Sequence, residues 1–261
     1  MTNPKTVIAL EARLKNCKNV VTFGVRPNFS DYRDSEKERI RNAPTIYYPT
    51  VFYADLFDAM GKKTFPSYHT YKCVQDKIKQ TALFDLQKIP HPRTRVFYGK
   101  RQKSAISDHF KFPFIAKIPR GSAMGKGVYL IRNKDDLFVY CNLINTAYIQ
   151  EYLPGDRDIR VVVIGNRAVH AYWRIAPPGE FRSNIAVGAR VSLDQVPEKA
   201  VDLAIYAARL CRWDDVGIDI CIHNGKYYVL EANMKYGKEG FRTAGIDYIK
   251  LMETMIKNGE I

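Results

Sequence analysis

Residues 217–233 contain two short apolar segments on either side of a turn, and this stretch constrains the fold more than any other. The composition of the turn favours a tight β-hairpin. We expect a three-residue loop, residues 223–225, with Gly225 in the left-handed conformation, so that Ile222 pairs with Lys226. The two segments therefore predict an antiparallel hairpin with one apolar face.

The same register decides which side chains share a face of the hairpin. Ile218 lies opposite Leu230 on the apolar face, and the other face carries three oxygen-bearing side chains: Asp219, Glu231 and Asn233. Such oxygens are ligands for hard divalent cations, so a metal site is one interpretation. The other is an ordinary hairpin with two solvated carboxylates. A two-residue loop would shift the pairing by one and separate Asp219 from Glu231.

Length and composition are those of an ordinary globular protein. The chain has 261 residues, 46% of them hydrophobic, which is enough for a sizeable core. No apolar run is long enough to cross a bilayer, and the N-terminus lacks an export signal. The five cysteines are scattered without metal-type spacing. We therefore expect a soluble, cytoplasmic protein that does not enter a membrane.

The charge balance points to anionic partners. There are 41 Lys and Arg residues against 27 Asp and Glu residues, a formal net charge of +14. Such a surface attracts phosphates, acidic peptides or nucleic acid. Charge alone does not choose among these partners.

Apolar patterning along the chain predicts alternating strands and helices, as in an α/β protein. Strands are predicted at residues 19–23, 45–48, 95–98, 114–117, 129–131, 148–151, 159–164 and 168–175. Helices are predicted at residues 51–60, 71–88, 135–143, 198–210 and 246–256. The helix over residues 71–88 would carry Lys77 in its middle, where a surface lysine is the ordinary interpretation.

Residues 117–128 form a glycine-rich loop with three glycines, a serine and three basic residues. The backbone N–H groups of such a loop could wrap phosphate oxygens. The spacings of a Walker loop and of a dinucleotide-binding loop are both absent. A plain hairpin connection would have the same composition.

Short motifs follow one another at residues 76–77, 89–94, 112–117, 118–127, 150–153, 155–160, 181–184, 216–219 and 230–233. Their order and spacing resemble the ATP-grasp superfamily, specifically the branch of ribosomal-protein S6 glutamate ligase, from about residue 65 to the C-terminus. The resemblance implies an α/β ATP-grasp fold, in which two α/β subdomains clamp ATP. It divides the chain into a short pre-ATP-grasp lobe (residues 1–70), a small subdomain with a glycine-rich lid (71–150) and a large subdomain with a metal site (151–261).

The resemblance also implies roles for individual residues. ATP would be bound by the phosphate-binding Lys77 and Lys117, the lid glycines Gly125 and Gly127, the adenine-binding Glu151, Tyr152 and Leu153, the ribose-binding Asp158, and the loop residues Arg182, Ser183 and Asn184. The ligands of Mg²⁺ or Mn²⁺ would be Asp219, Glu231 and Asn233. Arg174 and Lys117 would be catalytic, Arg174 by stabilising an acyl phosphate and a tetrahedral intermediate.

The implied activity is that of an ATP- and Mg²⁺-dependent carboxylate–amine ligase. A carboxylate attacks the γ-phosphoryl group, and an amine then displaces phosphate from the acyl phosphate. The substrates would be a carboxylate and an amine, each a small molecule or a peptide. The sequence itself does not indicate the oligomeric state, although relatives commonly form homo-oligomers. Two alternatives stay open: an ATP-grasp kinase of a polyanionic small molecule, and a basic protein that binds nucleotide or nucleic acid without turnover.

Three features depart from the family pattern. The glycine loop is one residue longer, the N-terminal lobe is shorter, and Met234, Lys235 and Tyr236 replace the usual small residue, serine and proline. The longer loop bears on the fit of the lid, and the other two features bear on the substrates. None of them removes a predicted metal ligand or a phosphate-binding lysine.

Part of the excess positive charge flanks the motif loops. The basic residues concerned are Arg157, Arg160, Arg182, Lys235, Lys238 and Arg242. One interpretation is a surface patch that guides an acidic substrate into the cleft. The alternative is a uniformly solvated surface.

Overall fold

A parallel sheet is formed by the N-terminal part of the chain in the computed structural model, which describes residues 7–121 and 127–261. Its strands are β1 (Val7–Ala9), β2 (Val20–Thr22), β3 (Thr45–Tyr47) and β4 (Lys63–Phe65), in the order β2-β1-β3-β4. Parallel neighbours need crossover connections. Helices α1 (Asp34–Asn42) and α2 (Thr50–Ala59) provide them before and after β3.

Two helices, α3 (Tyr68–Val74) and α4 (Lys77–Leu86), replace the single helix predicted over residues 71–88. Asp76 separates them in an extended conformation and caps α4, because its Oδ1 accepts from the N–H groups of Ile78 (3.0 Å) and Lys79 (3.2 Å). The placement of Lys77 in mid-helix, made from apolar spacing, was therefore wrong, whereas the motif of Asp76 and Lys77 opens a helix as the family resemblance implies. Lys77 is the first residue of α4.

The second sheet is antiparallel and is covered by a helix on one face. Its strands are β5 (Thr94–Tyr98), β6 (Phe114–Lys117), β7 (Val128–Ile131) and β8 (Thr146–Glu151), in the order β5-β8-β6-β7. The short helices α5 (Gly99–Lys103) and α6 (Ile106–His109) follow β5, and α7 (Lys134–Leu143) precedes β8. Tyr140 of α7 is buried and donates its hydroxyl proton to the Lys117 carbonyl at 2.7 Å.

The third sheet is antiparallel and has five strands. They are β9 (Arg157–Ile164), β10 (Arg167–Ile175), β11 (Arg190–Ser192), β12 (Asp215–His223) and β13 (Lys226–Asn233), in the order β11-β10-β9-β12-β13. Helix α8 (Glu198–Cys211) buries a face of four alanines against one side of this sheet. Helices α9 (Glu239–Thr243) and α10 (Tyr248–Lys257) contribute to the core on the other side.

The hairpin of β12 and β13 has a different register from the predicted one. Its loop has two residues, Asn224 and Gly225, both with positive φ, and His223 pairs with Lys226. This is the arrangement of a type I′ turn, which matches the twist of the flanking strands. The prediction that Ile222 pairs with Lys226 was therefore wrong.

A β-bulge in β13 restores the shared face despite the shorter loop. Leu230 has no partner on β12, so the pairing beyond it shifts by one residue. Asp219 consequently lies directly opposite Glu231, and Ile218 lies opposite Ala232 rather than Leu230. The two carboxylates share a face because of the bulge.

An arginine of the N-terminal lobe is enclosed by three tyrosines at the junction with the third sheet. The Arg13 guanidinium lies 4.6 to 5.6 Å from the ring centres of Tyr48, Tyr236 and Tyr248. The buried Asp215 accepts from the hydroxyls of Tyr48 (2.8 Å) and Tyr236 (2.7 Å). Tyr236, one of the departures from the family pattern, therefore joins the N-terminal lobe to the third sheet.

The division of the chain into three segments stays a prediction. The strands of the three sheets span residues 7–65, 94–151 and 157–233. Helices α3 and α4 nevertheless share a core with the third sheet, since Phe84 packs against Trp213 with 5.9 Å between ring centres. Within the described ranges, no helix is long and apolar enough to cross a membrane.

Gln80 of α4 holds the outer edge of β13 through both ends of its amide. Its Nε2 donates to the carbonyls of Val74 (2.7 Å) and Ala232 (2.9 Å), and its Oε1 accepts from the Ala232 N–H (2.9 Å). We expect Gln80→Leu to lower the free energy of unfolding by roughly 2–4 kcal/mol, because buried backbone groups lose their partners. Urea unfolding measures this loss. Gln87→Leu, on the exposed end of the same helix, should change stability by less than about 0.5 kcal/mol, and equal losses would contradict the role of Gln80.

Candidate active site

A cavity between the two antiparallel sheets brings together most of the predicted site residues. Those that line it are Lys77, Lys117, Glu151, Tyr152, Leu153, Asp158, Arg174, Arg182, Ser183, Asn184, Asp219 and Glu231. Asn233 and Gly127 do not line it, and Gly125 falls outside the described residues. The motifs that lie far apart in the sequence therefore converge on one site.

Two arginines hold Asp219 in buried ion pairs. Arg160 is the cross-strand partner of Asp219 on β9, and its Nε and Nη2 donate to the two carboxylate oxygens, Nη2 at 3.0 Å. The Nη2 of Arg174 on β10 lies 2.9 Å from Oδ2 of Asp219. All three side chains are buried, and buried charges are tolerated only when they are paired in this way.

Arg174 also holds Asp158, its cross-strand partner on β9. Its Nε donates to Oδ1 at 2.7 Å and its Nη2 to Oδ2, so both carboxylate oxygens accept from one guanidinium. Burial raises the pKa of Asp158, and the Arg174 charge acts against this rise. The role of Asp158 in binding ribose stays a prediction, because its visible partner is Arg174.

Sequence reasoning missed the site role of Arg160 and placed it in a surface patch. That placement was wrong, because Arg160 is 5% exposed and its Nη1 also donates to the Tyr236 carbonyl at 3.1 Å. A signal was present in the sequence. Asp158 and Arg160 alternate in an otherwise apolar strand, so period-two geometry puts both on one face.

Glu231 is surrounded by positive charge. The Nζ of Lys77 lies 3.7 Å from its Oε2, and the Nδ2 of Asn233 donates to its Oε1 at 2.8 Å. Burial raises the pKa of Glu231, but the charges of Lys77 and Lys117 more than offset that effect and lower it to about 2. Glu231 is therefore an ionised carboxylate at neutral pH.

The two lysines are positioned by different elements. Lys117 ends β6 and is 7% exposed, and burial lowers its pKa. Lys77 begins α4, and its N–H donates to the Pro119 carbonyl at 3.1 Å. The Nε of Arg120 donates to Oδ2 of Asp76 at 2.8 Å, which ties the start of α4 to the glycine-rich loop.

The base of the glycine-rich loop is closed by a backbone hydrogen bond. The Ile118 N–H donates to the Gly127 carbonyl at 2.7 Å, and Gly127 has a φ of +73°. A side chain at Gly127 would be strained and would meet that of Ile118. The movement of this loop as a lid stays a prediction.

Two further segments line the cavity at its rim. Glu151 at the end of β8 donates its N–H to the Arg93 carbonyl (2.9 Å), and its Oε1 accepts from the Arg93 N–H (2.6 Å). In the loop after β10, Arg182 donates to both oxygens of Glu180 at 3.0 and 2.7 Å and lowers the pKa of Glu180 to about 2. The predicted contacts of these segments with nucleotide stay predictions.

The predicted metal ligands are oxygen donors of the kind that hard divalent cations take, but both oxygens of Asp219 already contact arginines, so the metal role of this set stays a prediction. Asp219 and Glu231 face each other across the hairpin, and Asn233 contacts Glu231. In the part of the chain that the structure describes, no group of three or more His, Cys, Asp or Glu side chains could hold a metal ion. Magnesium is commonly bound by one or two carboxylates together with substrate phosphates, so two carboxylates and an amide suit it.

Comparison with known proteins identifies the family. A model of the RimK-like ATP-grasp domain matches residues 74–256, which is more than half of the chain. The chain belongs to the RimK-like ATP-grasp family. The probable α-L-glutamate ligase 2 of Pseudoalteromonas atlantica is 30% identical over 241 residues, which cover 88% of this chain and 78% of the relative. The glutamate–LysW ligase ArgX of Sulfolobus acidocaldarius is 30% identical over 229 residues, which cover 82% and 80% of the two chains.

Solved structures agree on the fold. The ATP-grasp ligase PsnB, in complex with a minimal precursor, Mg and ADP, is 16% identical with a TM-score of 0.72, covering 99% of this chain and 98% of PsnB. A RimK domain protein from Sphaerobacter thermophilus is 15% identical with a TM-score of 0.69, covering 96% and 98%. The predicted ATP-grasp fold and the predicted ATP-dependent formation of C–N bonds are thus confirmed for this RimK-like protein.

The lowered pKa of Glu231 predicts a pH-dependent contribution to stability. A carboxylate whose pKa falls from its ordinary 4.5 to about 2 stabilises the folded state above about pH 4.5. This contribution is lost as the pH falls towards 2. In urea unfolding, Glu231→Gln should therefore be less stable than the parent at pH 5 to 7, and the gap should narrow below about pH 4.5.

Glu38→Gln provides the matched control, because Glu38 is exposed and has no ion pair among the residues described. Its stability should follow that of the parent across the same pH range. A Glu231→Gln gap that stays constant from pH 7 to 3 would contradict a Glu231 carboxylate held ionised by the two lysines.

Proposed function

We propose that this RimK-like protein joins an acidic amino acid such as glutamate to a polypeptide through an acyl phosphate, with Mg²⁺ as the metal. The observation that supports this most strongly is the position of Asp219 and Glu231 beside Lys77 and Lys117 in one cavity. Two relatives are named as ligases that join glutamate to LysW or to ribosomal protein bS6. These names suggest the substrate classes.

The reaction needs a leaving group, because a free carboxylate is a poor acyl donor. Attack of the carboxylate oxygen on the γ-phosphoryl group forms a mixed anhydride and releases ADP. The amine then adds to the activated carbonyl, and collapse of the tetrahedral intermediate expels inorganic phosphate. Magnesium held by Asp219, Glu231 and Asn233 would supply positive charge to the phosphoryl oxygens.

The chain itself supplies fixed charge where phosphate would lie. The buried and half-buried ionic groups at the centre of the site are Lys77, Lys117, Arg160 and Arg174 against Asp158, Asp219 and Glu231, a net positive charge. Arg160 and Arg174 hold carboxylates at close range, whereas the Nζ of Lys77 lies 3.7 Å from Oε2 of Glu231. Lys77 and Lys117 are therefore the better phosphate ligands. Arg174, which lines the cavity, would orient Asp158 and Asp219 and extend its remaining charge towards the developing oxyanion.

The cellular compartment, the oligomeric state and the alternative functions follow from separate observations. We place the enzyme in the cytoplasm, since all five cysteines are free and a reducing compartment keeps them so. Homo-oligomer formation stays a prediction. The kinase and the non-catalytic binding protein are less favoured, because the curated relatives are named as ligases.

Isotope transfer tests the acyl phosphate directly. A peptide that ends in glutamate, with ¹⁸O in its carboxylates, is incubated with L-glutamate, ATP, Mg²⁺ and the enzyme. We expect one ¹⁸O atom to appear in the released inorganic phosphate, because the attacking carboxylate oxygen leaves with it. Mass spectrometry of the phosphate measures this transfer. Unlabelled phosphate released with product, both in this reaction and with the ¹⁸O placed in L-glutamate instead, would contradict the acyl phosphate. A phosphorylated product without free phosphate would support the kinase.

The metal assignment predicts the effect of Glu231→Gln on turnover. The substitution keeps the volume of the side chain but removes a charge from the proposed metal site. We expect Mg²⁺-dependent release of ADP to fall by at least about 100-fold. Glu38→Gln, on the exposed part of α1, should retain full turnover. A Glu231→Gln enzyme with unimpaired turnover would remove Glu231 from the metal site.

A further inference from the structure

Residues 86–134 carry most of the net positive charge of the chain. They contain twelve Lys and Arg residues and a single acidic residue, Asp108, which gives +11 of the net +14. The basic residues are Lys88, Arg93, Arg95, Lys100, Arg101, Lys103, Lys111, Lys117, Arg120, Lys126, Arg132 and Lys134. The charge is therefore concentrated on the second sheet and its helices.

Only part of this charge is used inside the fold. Lys117 lies in the cavity, Arg120 pairs with Asp76, and the Nζ of Lys103 donates to two carbonyls at the end of α7. Five others form the surface that we call the basic face: Arg93, Arg95, Lys100, Arg101 and Lys111. All five are exposed, and none forms an ion pair with a carboxylate of the described chain.

The basic face is assembled from β5, α5 and the end of α6. Arg93 donates from Nη1 to the His109 carbonyl at 2.8 Å, and Nη1 of Arg95 lies 3.2 Å from Nδ1 of His109. These contacts bring the start of β5 next to the end of α6, two residues before Lys111. β5 is one of the two edge strands of its sheet, and the five side chains of the basic face are exposed.

The basic face begins at the rim of the cavity. Pro92 lines the cavity, and the next residue, Arg93, exchanges backbone and carboxylate hydrogen bonds with Glu151. The Arg93 end of the basic face therefore lies next to the opening of the cavity.

The side chains of the basic face suit carboxylates. The guanidinium groups of Arg93 and Arg95 lie 4.2 and 5.3 Å from the ring centres of Phe110 and Phe97. Both rings are buried. Stacking on a fixed ring leaves the N–H edges of a guanidinium directed outwards, the geometry that binds carboxylates in pairs. The rings of Phe97 and Phe110 are therefore not available to stack with nucleic acid bases, whereas the ring of Tyr98 on β5 is exposed.

We propose that the basic face binds an acidic segment of the polypeptide substrate and directs it into the cavity. The proposal rests on the proposed function in taking a polypeptide as a substrate. It extends that function by naming the surface and the acidic character of the partner. Long-range attraction of this kind raises the rate of encounter and weakens with salt.

Binding of a labelled peptide tests the proposal without requiring turnover. The probe is a fluorescent peptide of twelve glutamates, compared with one of twelve glutamines by anisotropy at low and physiological salt. The double variant Lys100→Glu, Arg101→Glu reverses two exposed charges of the basic face. We expect the parent to prefer the glutamate peptide, and the variant to raise its Kd at least about tenfold.

A second variant controls for the change in net charge. Lys199 and Arg209 are exposed on α8, on the third sheet, and their double replacement by Glu changes the net charge equally. This control should leave the Kd of the glutamate peptide within about twofold of the parent. Both double variants should retain the parent affinity for ATP, because neither changes a residue that lines the cavity.

Two outcomes would overturn the proposal. One is an equal change of Kd in both double variants, since the location of the charge would then not matter. The other is tighter binding of a single-stranded RNA of twelve nucleotides that is lost in the Lys100→Glu, Arg101→Glu variant, which would assign the face to nucleic acid. If the glutamate peptide binds the basic face as expected but no ¹⁸O reaches the phosphate, the proposed reaction is disproved. The proposed role of the basic face in binding would then still stand.

Discussion

The site depends on one buried carboxylate, Asp219, and on the two arginines that neutralise it. Arg160 and Arg174 reach it from β9 and β10, and Arg174 also holds Asp158. The ion pairs therefore connect three neighbouring strands on the face that lines the cavity. Removing one partner of a buried pair typically costs about 3–5 kcal/mol, because the other charge is left unpaired. Because breaking a pair is so unfavourable, these charged side chains keep one arrangement on the polar face of the sheet.

The arrangement of these ion pairs determines which charged groups can contact a highly charged ligand in the cavity. Asp219 is fixed by arginines, so its neighbour across the hairpin, Glu231, is the carboxylate that faces the lysines. Lys117 comes from the second sheet, across the cavity, and Lys77 comes from α4, which packs against the third sheet. Positive groups are thus distributed on both walls, and a polyphosphate between them would draw the walls together. The basic face adds further positive charge next to the opening of this cavity.

The sequence predicted the shared face of Asp219 and Glu231 correctly, but through the wrong register. Alternation shows which residues share a face of one strand, whereas the pairing between strands depends on turn type and bulges. Neither the two-residue turn nor the bulge at Leu230 follows from alternation. Apolar spacing missed the break before α4 for a related reason, since an aspartate within an amphipathic pattern marks a helix start only when its side chain caps the next turn. Arg160 was missed because its partner lies on another strand.

The motifs predicted the content of the cavity well because each is a local arrangement of glycine, charge and strand end. The residues after Asn233 were not interpretable in that way, and only the tertiary contacts of Tyr236 with Arg13 and Asp215 explain them.

The most direct test of the central ion pair is a double-mutant cycle with Arg160→Met, Asp219→Asn and both together, read by urea unfolding. A coupled pair predicts that the double variant loses at least about 2 kcal/mol less than the sum of the single losses. Losses that add within about 0.5 kcal/mol would contradict it.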